Sequence, residues 1–398
     1  MSRTHVRMVP RDPREANRAS TPLEMFFDLT FVVAVAAAST AFEQGLRDGN
    51  ARHVLITFPL FFFGIWWAWM NFTWFASAYD VDDVPYRLAV LVQMTGVLIF
   101  AAGISRAMFH WDFGLTVLGY VVMRLAMVAL WIRAAVSDPS GRRAAIRYAV
   151  GVALVQVGWS VSLLVPLSGR APLFVALVIG ELGVPIYAES ASRTSWHPRH
   201  IAERFGLFTN IVLGEALLAA SLGVRAALTE RASLHELLPV VAGGLLSIFS
   251  MWWIYFDLPS EAIAERVRDR FSRRVTGAFG WGYGHYLVFA SVAATGAGLS
   301  LAIYQARGSS QLTNLEAGFV ETVPVALYVL SVWIVHRPYK PKGPWRDVAP
   351  PLALAIIVAA SVVPQPELAT GIVMVALMAS NIVVTRRSSD RTTNAVPA

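Results

Sequence analysis

The sequence predicts an all-α polytopic membrane protein with about twelve transmembrane helices, and three observations carry that prediction. First, 56% of the 398 residues are hydrophobic and only 15% are charged, against about 45–50% apolar and about 25% charged in an average soluble domain. Second, the apolar residues come in blocks near twenty long, the length that crosses a hydrocarbon core about 30 Å thick. Third, the charges are pushed between the blocks and fall unequally on alternate sides of them. The backbone inside lipid must satisfy its own polar groups, so each block reads as a helix.

Taken in order, residues 1–20 form a polar, Arg-rich tail with no apolar centre. That is not a cleavable signal peptide, so the first span is expected to direct insertion. Span 24–42 opens on Thr21-Pro22-Leu23-Glu24, which reads as a capping box with Thr21 at the N-cap, Pro22 first in the helix and Glu24 third. Span 54–76 carries Trp66-Trp67-Ala68-Trp69 and runs into an acidic turn at Asp80, Asp82 and Asp83. Spans 87–105 and 114–132 follow, the latter holding Arg124. Spans 148–167 and 172–190 come next, with Glu181 in the second of them. Span 205–223 carries Glu215, and span 237–257 holds Trp252-Trp253 and ends on Asp257. Span 280–304 begins with Gly280-Trp281-Gly282-Tyr283-Gly284-His285, and spans 319–336, 348–364 and 368–385 complete the set. Residues 386–398 are a second polar tail.

The net charge is +7, from 33 Lys+Arg against 26 Asp+Glu. Sorting the basic residues by span puts 25 on the side of the two tails and 7 on the other, with Arg124 alone inside a span. By the positive-inside rule this means an even number of spans with both termini cytoplasmic, and the scarcity of lysine, only Lys340 and Lys342, suggests a GC-rich bacterial genome and so a bacterial cytoplasmic (inner) membrane. The basic balance therefore reads as topology and not as nucleic-acid binding. There is no cysteine, which excludes disulfides, thiolate metal sites and cysteine nucleophiles.

The chain looks duplicated. Trp66-Trp67-Ala68-Trp69 has a counterpart in Trp252-Trp253-Ile254-Tyr255, 186 residues on, and the Pro-led start at Pro22 has one in Pro198, 176 residues on. The expected organisation is two six-helix membrane halves, 21–190 and 191–385, which would be parallel repeats because each holds an even number of spans.

Several motifs resemble a known family. Leu23-Glu24-Met25-Phe26-Phe27-Asp28-Leu29-Thr30-Phe31-Val32, the run from Trp66 through Tyr79-Asp80 to Arg87, and Trp196-His197-Pro198-Arg199-His200-Ile201-Ala202-Glu203-Arg204 through Leu213-Gly214-Glu215 are similar to the bacterial low temperature requirement A (LtrA) family. Trp252 to Asp257 and His285 fit the same pattern, and the likeness covers roughly residues 20–385. It implies an integral membrane protein associated with growth in the cold, without a defined biochemical activity. The segment Glu24 to Ala36 also resembles the first helix of the two-repeat, six-helix potassium channels of bacteria and lysosomes, although the serine of their Phe-Ser-Asp pattern is missing here.

A charge within the bilayer costs at least a few kcal/mol on insertion scales, so intramembrane ionisable residues are functional candidates by default. Glu215 lies eleven residues past Arg204, about 16 Å into the span. It is read either as a proton- or cation-binding carboxylate or as the ion-pair partner of Arg124, with Glu181 as the alternative partner. Glu24 and Asp28 lie one turn apart on one face, where Glu24 reads as a cap and Asp28 as a pathway residue or a helix–helix contact. His200, Glu203 and Arg204 share a face at the start of span seven. His197, His200 and Glu203 lack the i, i+4 histidine spacing of a zinc helix, and no metal or cofactor is expected. Asp257 and His285 complete the candidates, His285 with an interhelical hydrogen bond as its plain role. The function expected is transport of an ion or small solute, with membrane lipids as surroundings. The alternatives are an intramembrane enzyme acting on lipids or isoprenoids, and a structural or regulatory membrane protein.

Overall fold

In a computed structural model the described residues are 6–12, 15, 18–229, 233–258, 276–306, 312–340 and 343–393. The basic segment with Arg266 to Arg274, Arg231, Arg307 and the outermost parts of both tails lie outside them. The described residues form twelve long helices and no strand. These are α1 (Pro22–Arg47), α2 (Ala51–Tyr79), α3 (Val84–His110), α4 (Gly114–Ser137), α5 (Arg142–Ser162) and α6 (Leu167–Glu189), then α7 (Pro198–Thr229), α8 (Leu234–Phe256), α9 (Thr276–Ala306), α10 (Asn314–His336), α11 (Pro344–Ala359) and α12 (Pro366–Thr393). Each contributes a stretch long and apolar enough to cross a membrane, which for α11 runs on through a short 3-10 turn to Val362.

The helices turn apolar side chains outward. On α4, Leu118, Leu125 and Ile132 recur every seven residues and are all exposed, whereas Arg124 is 2% exposed beside Leu125 at 63%. On α3, Leu88, Leu91 and Leu98 are exposed while Gln93 is buried. An exposed apolar stripe over a buried polar one is the reverse of a water-soluble helix, and it suits a lipid-facing surface. Where α3 meets α4, glycines set the approach: a methyl group on Gly119 would come within 2.4 Å of the Phe100 amide nitrogen, and one on Gly96 within 2.7 Å of the Gly119 carbonyl oxygen. Small residues of this kind let membrane helices pack backbone to backbone.

The chain divides into two compact units. The first comprises the described residues within Met1–Ala41, Thr57–Phe208 and Ala264–Gly280, and the second those within Phe42–Ile56, Thr209–Ile263 and Trp281–Ala398.

In the first unit the N-terminal segment is tied to the ends of the helices. Arg11 donates its amide to the Ala78 carbonyl at 2.9 Å. Arg18 donates to the carbonyls of Ser77 and Ala76. Those carbonyls belong to the last turn of α2, whose acceptors have no partner within the helix, so the segment caps α2. Asp83 caps α3 by accepting from the Tyr86 amide. It also accepts from the Val6 amide at 2.8 Å and pairs with Arg133, which ties the same segment to the α3 and α4 ends. Against burial, which would raise it, Arg133 and the Val6 and Tyr86 amides hold the Asp83 carboxyl down at about 2.

Candidate functional site

The largest group of buried charges of the first unit is gathered where α1 and α7 begin. Both helices start on a proline, Pro22 and Pro198, and side chains of their first turns meet. His200 faces Glu24 and Arg204 faces Asp28, each pair separated by the same 176 residues. Two residues into each helix the partners are Glu24 and His200. Six residues in, about 9 Å along the axis, they are Asp28 and Arg204.

The deeper pair is fully enclosed. Arg204 donates Nε to Asp28 Oδ2 at 3.0 Å and Nη2 to Oδ1 at 2.5 Å, the two-pronged match that a planar guanidinium makes with a carboxylate. Both side chains are 0% exposed. Trp69 donates its indole N–H to Asp28 Oδ1 at 2.6 Å and stacks on Phe208 with ring centroids 4.3 Å apart. The shallower pair is looser. Thr21 and Glu24 form the capping box, with Thr21 N donating to Glu24 Oε2 at 2.8 Å and Glu24 N to Thr21 Oγ1 at 3.2 Å. Glu24 Oε1 then sits 3.1 Å from Arg204 Nη1, 3.2 Å from His200 Nε2 and 3.9 Å from Arg18 Nη2.

This cluster is ion-paired without being saturated by hydrogen bonds. Glu24 Oε1, Arg204 Nη1, His200 Nδ1 and the hydroxyl of Tyr86 are all buried with no hydrogen-bond partner. Native interiors rarely leave such atoms unused, and each one calls for a reason. At the outer edge Asp80 lies 3.8 Å from Arg11 and 4.0 Å from Arg18. Burial and the nearby Glu24 charge push its carboxyl up to about 6, against the pull of Arg18 and Arg11.

Arg204 was not legible as a member of this site. With span seven starting at residue 205, Arg204 counted as one of the charges outside the membrane. The helix begins seven residues earlier, at Pro198, and takes Arg204 inside. The Trp-rich run of α2 had no role assigned toward these charges. In fact Trp69 serves Asp28, and Trp67 donates to Glu181 Oε2 at 2.7 Å.

The second buried set corrects the expected pairing of Arg124 with Glu215. Arg124 Nη2 sits 3.2 Å from Glu181 Oε1, the alternative partner. Glu181 also accepts from Tyr120 at 2.9 Å and from Trp159 at 3.2 Å, and Arg124 donates to the Tyr120 hydroxyl. Both Glu181 oxygens are thus occupied. That occupancy ties α4 to α6 and suits holding helices together, with Arg124 Nε left buried without a hydrogen-bond partner.

The remaining candidates fall elsewhere. Glu203 accepts the Ser20 amide at 3.1 Å, which anchors the N-terminal segment. His197 Nε2 meets the Glu15 carbonyl oxygen at 2.8 Å. Among the described residues, no three His, Cys, Asp or Glu side chains are grouped to hold a metal. In the second unit Glu215 is buried near the midpoint of α7. Asp257 pairs with Lys340 at 3.1 Å. His285 Nδ1 meets the Trp281 carbonyl oxygen at 2.8 Å, so that nitrogen carries the proton, and Nε2 accepts from the Tyr255 hydroxyl at 3.0 Å.

Twelve apolar helices, outward-facing apolar stripes and enclosed charge define a multi-pass helical membrane protein. The chain belongs to the family of bacterial low temperature requirement A (LtrA) proteins, whose sequence model matches residues 19–382. It is also similar to an uncharacterized protein of Rhizobium meliloti (strain 1021), with 26% identity over 308 residues that cover 75% of this chain and 73% of that protein.

Proposed function

We propose that the protein is a transport protein, a channel or proton-coupled carrier for an ion or small solute, in the bacterial cytoplasmic membrane with both termini cytoplasmic. The observation that carries the reading is the unsaturated cluster at the starts of α1 and α7. Four buried polar atoms from Glu24, Arg204, His200 and Tyr86 lack hydrogen-bond partners, in a place where three carboxylates (Glu24, Asp28, Asp80) meet two guanidiniums (Arg18, Arg204). In the Arg124–Glu181 pair both carboxyl oxygens are occupied and only Arg124 Nε is left over, whereas here a carboxyl oxygen, a ring nitrogen and a hydroxyl are unpartnered as well. A site that exchanges a polar ligand keeps donors and acceptors in reserve. On this reading Asp28 and Arg204 form the fixed floor, and Glu24, His200 and Tyr86 supply the exchangeable contacts. Glu215, buried near the midpoint of α7, is a separate ionisable candidate.

The test is flux in proteoliposomes with protons, alkali cations and small anions as cargo, comparing wild type with Asp28→Asn and Glu215→Gln. The reading requires wild type to move at least one cargo and Asp28→Asn to lose most of that flux. If no cargo moves, or the variants move as much as wild type, the transport reading fails. In that case, a changed lipid profile in a deletion strain grown cold would favour the intramembrane-enzyme reading.

A further inference from the structure

The second unit holds a carboxylate that none of the preceding chemistry uses. Glu321 lies on α10, seven residues or about 10 Å inside from Asn314, and is 1% exposed. Neither of its carboxyl oxygens has a hydrogen-bond partner. The group acting on it electrostatically is another acid, Glu367, in the first turn of α12. Other titratable groups of the packed helices (Glu236, Tyr255 and Asp257 on α8, His285 on α9, Asp347 on α11) exert no such influence on it among the described residues.

The surroundings are tight and polar. A methyl on Gly298 of α9 would come 3.3 Å from Glu321 Oε2. A methyl on Gly243 of α8 would come 2.3 Å from the Glu367 carbonyl, so α8 presses directly on the α12 turn that bears the second acid. One turn further along each helix, Ser247 Oγ on α8 and Thr370 Oγ1 on α12 are also buried without partners.

An ionised carboxylate with no donor, no cation and an acid for a neighbour is the costliest arrangement in a membrane interior. Such a group is neutralised by what it binds. We infer that Glu321 and Glu367 form an intramembrane proton-binding site: Glu321 holds one exchangeable proton, and Glu367, at the helix end, passes it to and from the membrane surface. Ser247 and Thr370 supply hydroxyls along the same helix contact. The step is proton transfer between two carboxyl groups and needs no other reactant. The site is independent of the transport reading, since a protein can bind a proton there and carry no cargo.

The test is labelling of the full-length wild-type protein in lipid nanodiscs with dicyclohexylcarbodiimide, which modifies carboxylic acids that are protonated in apolar surroundings, followed by peptide mapping. Glu321 is expected to be modified at neutral pH, and exposed Glu316 on the same helix is not. Modification should fall about tenfold per pH unit once Glu321 ionises. Glu321→Gln should abolish the adduct and Glu321→Asp should retain it on the same peptide, which covers a glutamine variant that fails to fold. An unmodified Glu321 across the pH range, or labelling that does not change with pH, overturns the proposal.

Discussion

Substituting Arg204 by glutamine tests the charge network where it is deepest. The change removes both guanidinium hydrogen bonds to Asp28, at 3.0 and 2.5 Å, and leaves the Trp69 indole as the carboxylate's remaining donor. Breaking a buried pair from one side strands an uncompensated charge, which typically costs about 3–5 kcal/mol. Asp28→Asn strands less, because Arg204 keeps Glu24 at 3.1 Å; its expected cost is about 1.5–3 kcal/mol, the range for hydrogen bonds to charged groups. In the double variant two amides replace two charges, so its cost should fall below the sum of the single costs by a coupling energy near the top of the usual range of about 0.5–3 kcal/mol. Denaturant unfolding in mixed micelles, read by tryptophan fluorescence, measures all three. Single costs below about 1 kcal/mol, or a strictly additive double, would refute the claim that these residues meet as an enclosed ion pair.

Further predictions follow from the same geometry. Trp69→Phe keeps the ring against Phe205 and Phe208 but deletes the donor to Asp28, so it should cost about 1–3 kcal/mol in the same unfolding assay. Gly119→Leu forces a side chain into the Phe100 backbone; it should separate α3 from α4 and sharply lower the yield of folded protein in detergent gel filtration. Asp80, raised to about 6 by burial and by Glu24, binds its proton more tightly folded than unfolded. It therefore lends stability at acidic pH that is lost as pH rises from about 4 through 6. Asp80→Asn should flatten melting temperature against pH in that window. Asp83, held at about 2, has the opposite sign: its contribution is present above about 4 and disappears as pH falls toward 2, which Asp83→Asn should abolish.

The spans were legible in the sequence because hydropathy is a sum over about twenty residues, and no single packing decision alters it. The capping box at Thr21 and Glu24 was legible because it is local, needing three residues and one helix start. The ends of α7 were not. Pro198 to Arg204 is polar enough to read as loop, yet Asp28, Glu24 and Glu203 give its histidine, arginine and Ser20 contacts a reason to lie in or beside the helix. Arg124 was singled out correctly as a charge inside a span, but which of two carboxylates it meets depends on which helices adjoin, and α4 packs with α6 through Tyr120, Trp159 and Glu181. Glu321 was passed over because it fell three residues into its block, where an acid looks like an end residue. The helix starts earlier, at Asn314, and draws it inside. The signal available was simple: an acid inside a span, with Phe319-Val320 before it and Thr322-Val323 after it.

The most direct test of the proposed function exchanges the two central charges, Asp28→Arg with Arg204→Asp, and measures stability and proteoliposome flux on the same preparation. If the cluster serves transport, the exchange recovers much of the stability lost by either single charge reversal but not the flux, because Glu24 and Tyr86 then face a carboxylate where a guanidinium stood. Wild-type flux in the exchanged protein would contradict the account and leave the charges as a helix-pairing device alone.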